Sequence, residues 1–355
     1  MDFPGLSNES SDDTLSHDSL NQDGPDQHMS NDAMSSRVSP GYPALRERAA
    51  WIDLSDRGKL RATGDDRARF LHAMTTNHVE QLKPGEGCYS FFLNAQGRIL
   101  GDVNLLCFED HFLLDTEPET RRKIFEHLDR YIIADDVTLE DATDRIATIA
   151  LEGPESAAVL KKMDIAALPD APYSTVSWRT ARGDQRGGAT IARLSSTGAD
   201  GYFLFVPTER KDEVIAQLSA AGAIPATRED ARIVRIENGR PRYGEEITER
   251  YLVQETGQLQ AVHFSKGCYL GQEIVERVRS RAQIHRVLRK LEIDTAEPPA
   301  AGTKFKSGAA DAGEIVSASF SPALQKTVAM AYVRVPFAEP GTVLSIQGAA
   351  ARVAG

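Results

Sequence analysis

The chain reads as an α+β body followed by a small β-rich domain, and three observations carry that reading. Between about 44 and 284, strands come in groups and helices in groups, without the steady alternation of a doubly wound sheet. From about Val287 the texture changes to short strands broken by Gly and Pro, the pattern of a small β-barrel or sandwich. Ahead of both stands a segment, 1–43, rich in Ser, Asp and Asn and poor in aliphatic residues.

In that segment eight acids face the single base Arg37, so most of the formal charge of −11 sits there. It cannot bury enough apolar surface to offset its ordering entropy, and it is expected to be a disordered acidic tail. A secretory signal needs a basic start and an apolar run, and a mitochondrial transit peptide is Arg-rich and acid-poor. Neither pattern is present, and no apolar run approaches bilayer length. The cysteines, Cys88, Cys107 and Cys268, show no CxxC spacing, which argues against a disulfide framework or a zinc site. A cytoplasmic location is the expectation.

The body opens near Ala44. "LRATGDDRARFLHAMTTN" predicts a strand, a turn at Gly64, and a helix with Ala68, Leu71 and Met74 three apart. "GCYSFFLN" (87–94) and "RILGDVNLLCF" (98–108) read as strands joined at "AQG", with "HFLLDT" a third. "ETRRKIFEHLDRYII" follows as an amphipathic helix with Ile124, Phe125, Leu128, Tyr131 and Ile132 on one face. Strand "RIATIALEG", helix "PESAAVLKKM", strands "STVSWRT", "ATIARLSS" and "GYFLFVP", and helix "ERKDEVIAQLSAAG" come next. In "TREDARIVRIENGRPRYGEE", Thr227 with Asp230 three residues on is a capping-box signal, and Gly239 and Pro241 end the helix. "VLRKLEI", "GEIVSASFSP", "KTVAMAYVR" and "TVLSI" supply the strands of the last domain.

The stretch "KGCYLGQE" (266–273), together with "RIENGRPRYGEEIT" and "LNAQGRILGD", resembles the YgfZ-type folate-binding proteins. These are relatives of the aminomethyltransferase, or T protein, of the glycine cleavage system. The resemblance covers about 44 to 355. It implies aminomethyltransferase-like folate-binding domains around a central channel, in two subdomains over 44–284, closed by a C-terminal β-barrel over 285–355. It also implies tetrahydrofolate as ligand, and a role in maintaining iron–sulfur clusters in client enzymes, including enzymes that modify tRNA.

Cys268 carries the question that "KGCYLGQE" raises. As a type, a free cysteine is most often a small buried hydrophobe. Here Lys266 stands two residues away, Gly267 removes bulk, and Gly271 precedes "QEIVERV", a potential helix start. Neighbouring cations and helix N-termini favour the thiolate. With the resemblance added, Cys268 and Lys266 are expected to form a functional thiol site. One thiolate cannot hold an iron–sulfur cluster, and Cys88 and Cys107 lie in apolar strands, so no resident metal is expected.

A folate site needs an aromatic wall, a carboxylate for the pteridine and an arginine for the acidic end. Asp102, Arg235, Tyr89 and Tyr243 fall where the aminomethyltransferases carry an acid, an arginine and tyrosines. Unaided by the resemblance they read sooner as a strand-edge acid, a solvated helix charge and half-buried packing. Gly101 stands where the family has the first acid of a pair, and Phe203 where it has a pteridine-holding glutamate. Both departures weaken the case for one-carbon transfer.

The basic run "RVRSRAQIHRVLRK" (277–290) reads either as an anion-binding surface or as a solvated face between domains. It has no aromatic interleaving, and direct nucleic-acid binding is not expected. The leading expectation is a tetrahydrofolate-binding accessory protein for iron–sulfur enzymes, with those enzymes as partners. A folate-dependent aminomethyltransferase or demethylase is the alternative, and a binding scaffold with a structural Cys268 the third.

Overall fold

The computed structural model describes residues 39–165, 167–178, 188–281 and 284–355. Residues 1–38, most of the acidic segment, lie outside the described residues. The body begins earlier than the sequence indicates. Helix α1 (Gly41–Glu47) takes in residues read as tail, and Tyr42 is buried with its hydroxyl donating to Glu237 at 2.6 Å.

Two sheets and a barrel make the fold. Strands β1 (Ala50–Asp53) and β2 (Gly58–Thr63) lead into helix α2 (Arg67–Met74), with Gly64 at φ +103 in the turn between. Strands β3 (Gly87–Leu93), β4 (Ile99–Cys107) and β5 (Phe112–Thr116) follow, then helix α3 (Arg121–Tyr131) and strand β6 (Thr138–Asp141). The first sheet runs in the order β3-β4-β5-β2-β6. It is antiparallel throughout, and α2 and α3 cover one of its faces with Leu71, Ile124 and Leu128.

The second sheet uses β1 together with β7 (Ile146–Glu152), β8 (Thr175–Trp178), β9 (Ala189–Ala192), β10 (Gly201–Pro207) and β11 (Ile224–Pro225). Its order is β11-β1-β7-β10-β9-β8. Helices α4 (Ser156–Lys162) and α5 (Lys211–Ala220) close one face through Val159, Leu160, Val214 and Leu218. Helix α6 (Arg228–Glu237) begins in the expected capping box: Thr227 and Asp230 exchange side-chain and backbone hydrogen bonds. Its buried Ile233 and Val234 pack with Ala150, Phe203 and Phe205 on the other face.

After helix α7 (Gln272–Arg281) the chain enters a closed barrel of β12 (Arg286–Ile293), β13 (Lys304–Ser307), β14 (Ala310–Ser321), β15 (Lys326–Arg334), β16 (Val343–Ile346) and β17 (Ala349–Val353). Closure leaves that domain without an edge strand. The barrel rests on α6 and on a Tyr251–Tyr332 stack with ring centres 3.6 Å apart. The basic run is divided between these elements. Arg286 pairs with Glu255, Lys290 donates to the Glu237 carbonyl, and Arg279 lies over Phe264, while Arg277, Arg279 and Arg281 are exposed on α7. Among the described residues no helix is long and apolar enough to cross a membrane.

Candidate functional site

A cavity of about 280 Å³ opens between the two sheets and the N-terminal part of α6. Its apolar wall is Ile52, Leu54 and Phe203. Its polar wall comes from β3, β4 and β5 and from one face of α6, where Arg228, Arg232 and Arg235 recur at spacings of four and three.

Asp102 is the acid of this cavity. On β4 it lies opposite Phe91, buried, and Tyr89 donates its hydroxyl to Asp102 Oδ2 at 2.8 Å. Burial pushes the carboxyl up to about 6, and the negative charge of nearby Glu117 adds to the effect, while Tyr89, Arg57 and Arg240 work against it. Glu117 goes the other way: despite burial, Arg57 and Arg242 hold it below the usual carboxylate range. Arg57 forks onto Asp115, with Nε and Nη2 each 2.8 Å from a carboxylate oxygen, and reaches Glu117 with Nη1.

Gly101, the residue before Asp102, faces away from the cavity. Successive strand residues point to opposite faces, and a Cβ at position 101 would come 3.0 Å from Ile124 Cδ1 of α3. A carboxylate at 101 would therefore be aimed at a helix, so its absence takes nothing from the cavity. Phe203 is different, because its ring does line the cavity, with the Arg57 guanidinium 5.7 Å from its centre.

Arg235 is on the cavity wall but both of its terminal nitrogens are engaged by protein partners. It reaches Glu246 at 2.7 and 3.1 Å, Glu245 at 3.0 Å and the Arg240 carbonyl at 2.8 Å. Glu246 is completely buried and also receives Arg242 N and the Ser317 hydroxyl. Tyr243 is buried beside Tyr89 without lining the cavity, and Lys123 donates to its hydroxyl at 3.1 Å.

Cys268 and Lys266 lie elsewhere. Neither lines the cavity. Cys268 is exposed, on the turn leading into α7. Gly271 at φ +85 lays that turn on the end of β3, where a Cβ would meet Asn94 O at 2.7 Å. Lys266 points inward and donates its Nζ to the carbonyls of His72, Thr75 and Asn77. Burial pulls its ammonium down to about 7, while three carbonyl partners use all its donors. Its charge acts on Cys88, a thiol that burial pushes up to about 12. The expectation that Lys266 serves the Cys268 sulfur thus meets a lysine committed to backbone.

Sequence reasoning missed Arg57, Glu117, Arg240 and Glu152. Glu152, at the end of β7 and fully buried, accepts from Ser195 Oγ at 2.8 Å, Ser196 N at 2.7 Å and Thr197 N at 3.0 Å, fixing the loop that carries Ser195 and Ser196 into the cavity. The helical spacing of the α6 arginines was a usable signal. The long-range ion pairs left none.

Comparison with known proteins agrees with this architecture. Residues 18–266 match the GCVT N-terminal domain, and residues 286–355 the glycine cleavage T-protein C-terminal barrel domain. An aminomethyltransferase of Streptomyces coelicolor is 31% identical over 311 residues, 85% of this chain and 82% of that one. A putative chloroplastic transferase of Arabidopsis thaliana is 31% identical over 249 residues, 70% of this chain, which spans 57% of that relative's length. The crystal structure of the glycine cleavage system aminomethyltransferase T from Bartonella henselae superposes with a TM-score of 0.79 at 22% identity, over 89% of this chain and 87% of that one. The chain belongs to the glycine cleavage T-protein family, with its N-terminal domain and its C-terminal barrel both present.

Proposed function

We propose that this chain binds a reduced folate in the 280 Å³ cavity and acts there on a one-carbon unit, as a transferase or demethylase, with Asp102 as its buried acid. The observation that carries the reading is Asp102 itself. A carboxyl near 6, inside a cavity walled by Phe203 and steadied by Tyr89, is ionised at neutral pH but can be protonated at little cost. Such a group gives a proton to a nitrogen, or takes one from it, with little driving force lost. Bound tetrahydrofolate would supply the nitrogens that accept the one-carbon unit. The residues fit it: Phe203 and Leu54 offer a flat apolar wall, Asp102 a partner for N–H groups, and Arg240 a cation.

The aminomethyltransferases among the relatives favour this over the accessory role that "KGCYLGQE" puts first. Gly101 facing α3 removes one of the two objections to transfer chemistry, and Phe203 in place of a glutamate is the one that stands. The YgfZ-type reading keeps one observation of its own, the exposed Cys268 displayed outside the cavity. On that reading the chain serves iron–sulfur client enzymes through this thiol.

Titration of the wild type and Asp102→Asn with tetrahydrofolate, followed by incubation with an aminomethylated lipoyl carrier, tests the proposal. Binding by both and methylene-tetrahydrofolate formation by the wild type alone is the expected result. Absence of pteridine binding ends it. Binding without turnover, with iron–sulfur enzyme activities falling in cells that carry Cys268→Ala, would transfer the case to the accessory role.

A further inference from the structure

Six arginines line the cavity, and five of them are spoken for. Arg57 is held by Asp115 and Glu117, Arg228 by Asp56, Arg232 by Glu245, Arg235 by Glu246, and Arg242 by Glu117 and Glu119. Arg240 is the exception. Its guanidinium has no hydrogen-bond or ion-pair partner among the described residues, although it is half-buried on the cavity wall.

Everything else about Arg240 is fixed. Gly239 at φ +64 ends α6, and Arg240 N donates to the Arg235 carbonyl at 2.9 Å while Arg235 Nη1 donates to the Arg240 carbonyl at 2.8 Å. Its stem lies against Gly198, where a Cβ would stand 3.3 Å from Arg240 Cβ, on the loop that Glu152 clamps. Its guanidinium carbon is 5.7 Å from the centre of the Tyr89 ring, and the hydroxyl of that ring holds Asp102. An acid held by that tyrosine alone and a cation without an ion-pair partner among the described residues thus face the cavity on either side of one ring.

We propose that Arg240 is a specificity-determining anion receptor, which takes a carboxylate of the bound molecule while Asp102 attends to its nitrogen. A guanidinium with a free fork, carried on a fixed backbone and a packed stem, is suited to a carboxylate, because backbone and stem are ordered before the ligand arrives. The inference rests on the folate reading for the identity of the pteridine. The carboxylate has two sources: the p-aminobenzoyl-glutamate arm of the folate, or a small amino acid bound beside it.

Phenylglyoxal modification read by peptide mass spectrometry tests it, alongside titrations of the wild type, Arg240→Ala and Arg240→Lys. The probes are tetrahydrofolate, 6-methyltetrahydropterin, which has no carboxylate, and N-methylglycine. Arg240 is expected to react faster than its paired neighbours and to be protected by a carboxylate-bearing probe. Arg240→Ala should weaken that probe about tenfold to a hundredfold, the worth of a charged hydrogen bond, with Arg240→Lys between. Loss for tetrahydrofolate with 6-methyltetrahydropterin unchanged places the source in the folate arm, and loss for N-methylglycine places it in a separate amino acid. Protection by neither, with Arg240→Ala binding all probes like the wild type, overturns the assignment. Failure of the wild type to bind either tetrahydrofolate or 6-methyltetrahydropterin sinks the pteridine reading instead, since N-methylglycine protection still decides the role of Arg240.

Discussion

Arg235→Ala separates a ligand residue from a structural one. In the wild type this guanidinium is buried and its donors go to Glu246, Glu245 and the Arg240 carbonyl. Removing it leaves Glu246, which has no solvent exposure, as a buried carboxylate without its cation. Breaking a buried pair from one side costs about 3–5 kcal/mol. With an unfolding entropy near ~2 cal/mol/K per residue, a body of this size should lose roughly 5–8 °C in Tm. The barrel should feel the loss, because Ser317 of β14 donates to the same carboxylate. Urea unfolding followed by tryptophan fluorescence and by far-UV circular dichroism is the assay. A double change, Arg235→Met with Glu246→Gln, should recover most of the stability, since it leaves no unpaired charge. An Arg235→Ala protein that is as stable as the wild type but no longer binds folate would refute this reasoning and restore the arginine to the ligand.

Other expectations are more local. Asp102 is raised above its unfolded value, so the folded protein holds more protons than the unfolded one between about pH 4 and 6, and stability is lost as pH rises through that window. Asp102→Asn should therefore gain on the wild type on going from pH 4 to 7, by on the order of 3 kcal/mol, as read by Tm against pH; a difference independent of pH would contradict the assignment. Gly101→Asp should not improve folate binding, and should cost about 1–3 kcal/mol through its clash with Ile124, measured by denaturation and calorimetry. Lys266→Met should destabilise by about 3 kcal/mol or more, because three carbonyls lose their donor. Cys268 should be alkylated by iodoacetamide in the native protein, with Cys107 reacting only on unfolding, and mass spectrometry distinguishes the two.

What could be read from the sequence was what is local. The capping box at Thr227 and Asp230 needs residues three apart, and β12, β14, β15 and β16 carry their pattern within one strand, so these elements and α6 were legible, whereas the short β13 and β17 were not read. Asp102 was found only through a family resemblance, because nothing about a strand acid says which face it takes. Lys266 misled for a physical reason: two residues apart in an irregular turn imposes no common direction, and its ammonium found three carbonyls instead of the sulfur. Arg57 with Asp115, and Arg242 with Glu117, join residues far apart in the chain, which no spacing announces. Both of these pairs line the cavity.

The carboxylate of Glu152 also determines how the cavity meets a guest. A serine-rich stretch that could sample many shapes is held to a strand by one buried acid with both oxygens occupied. The wall it forms has the stiffness of the sheet behind it. Changes of ligand preference should therefore arise by exchanging side chains around an unchanged outline, since remodelling the loop would first require abandoning its anchor.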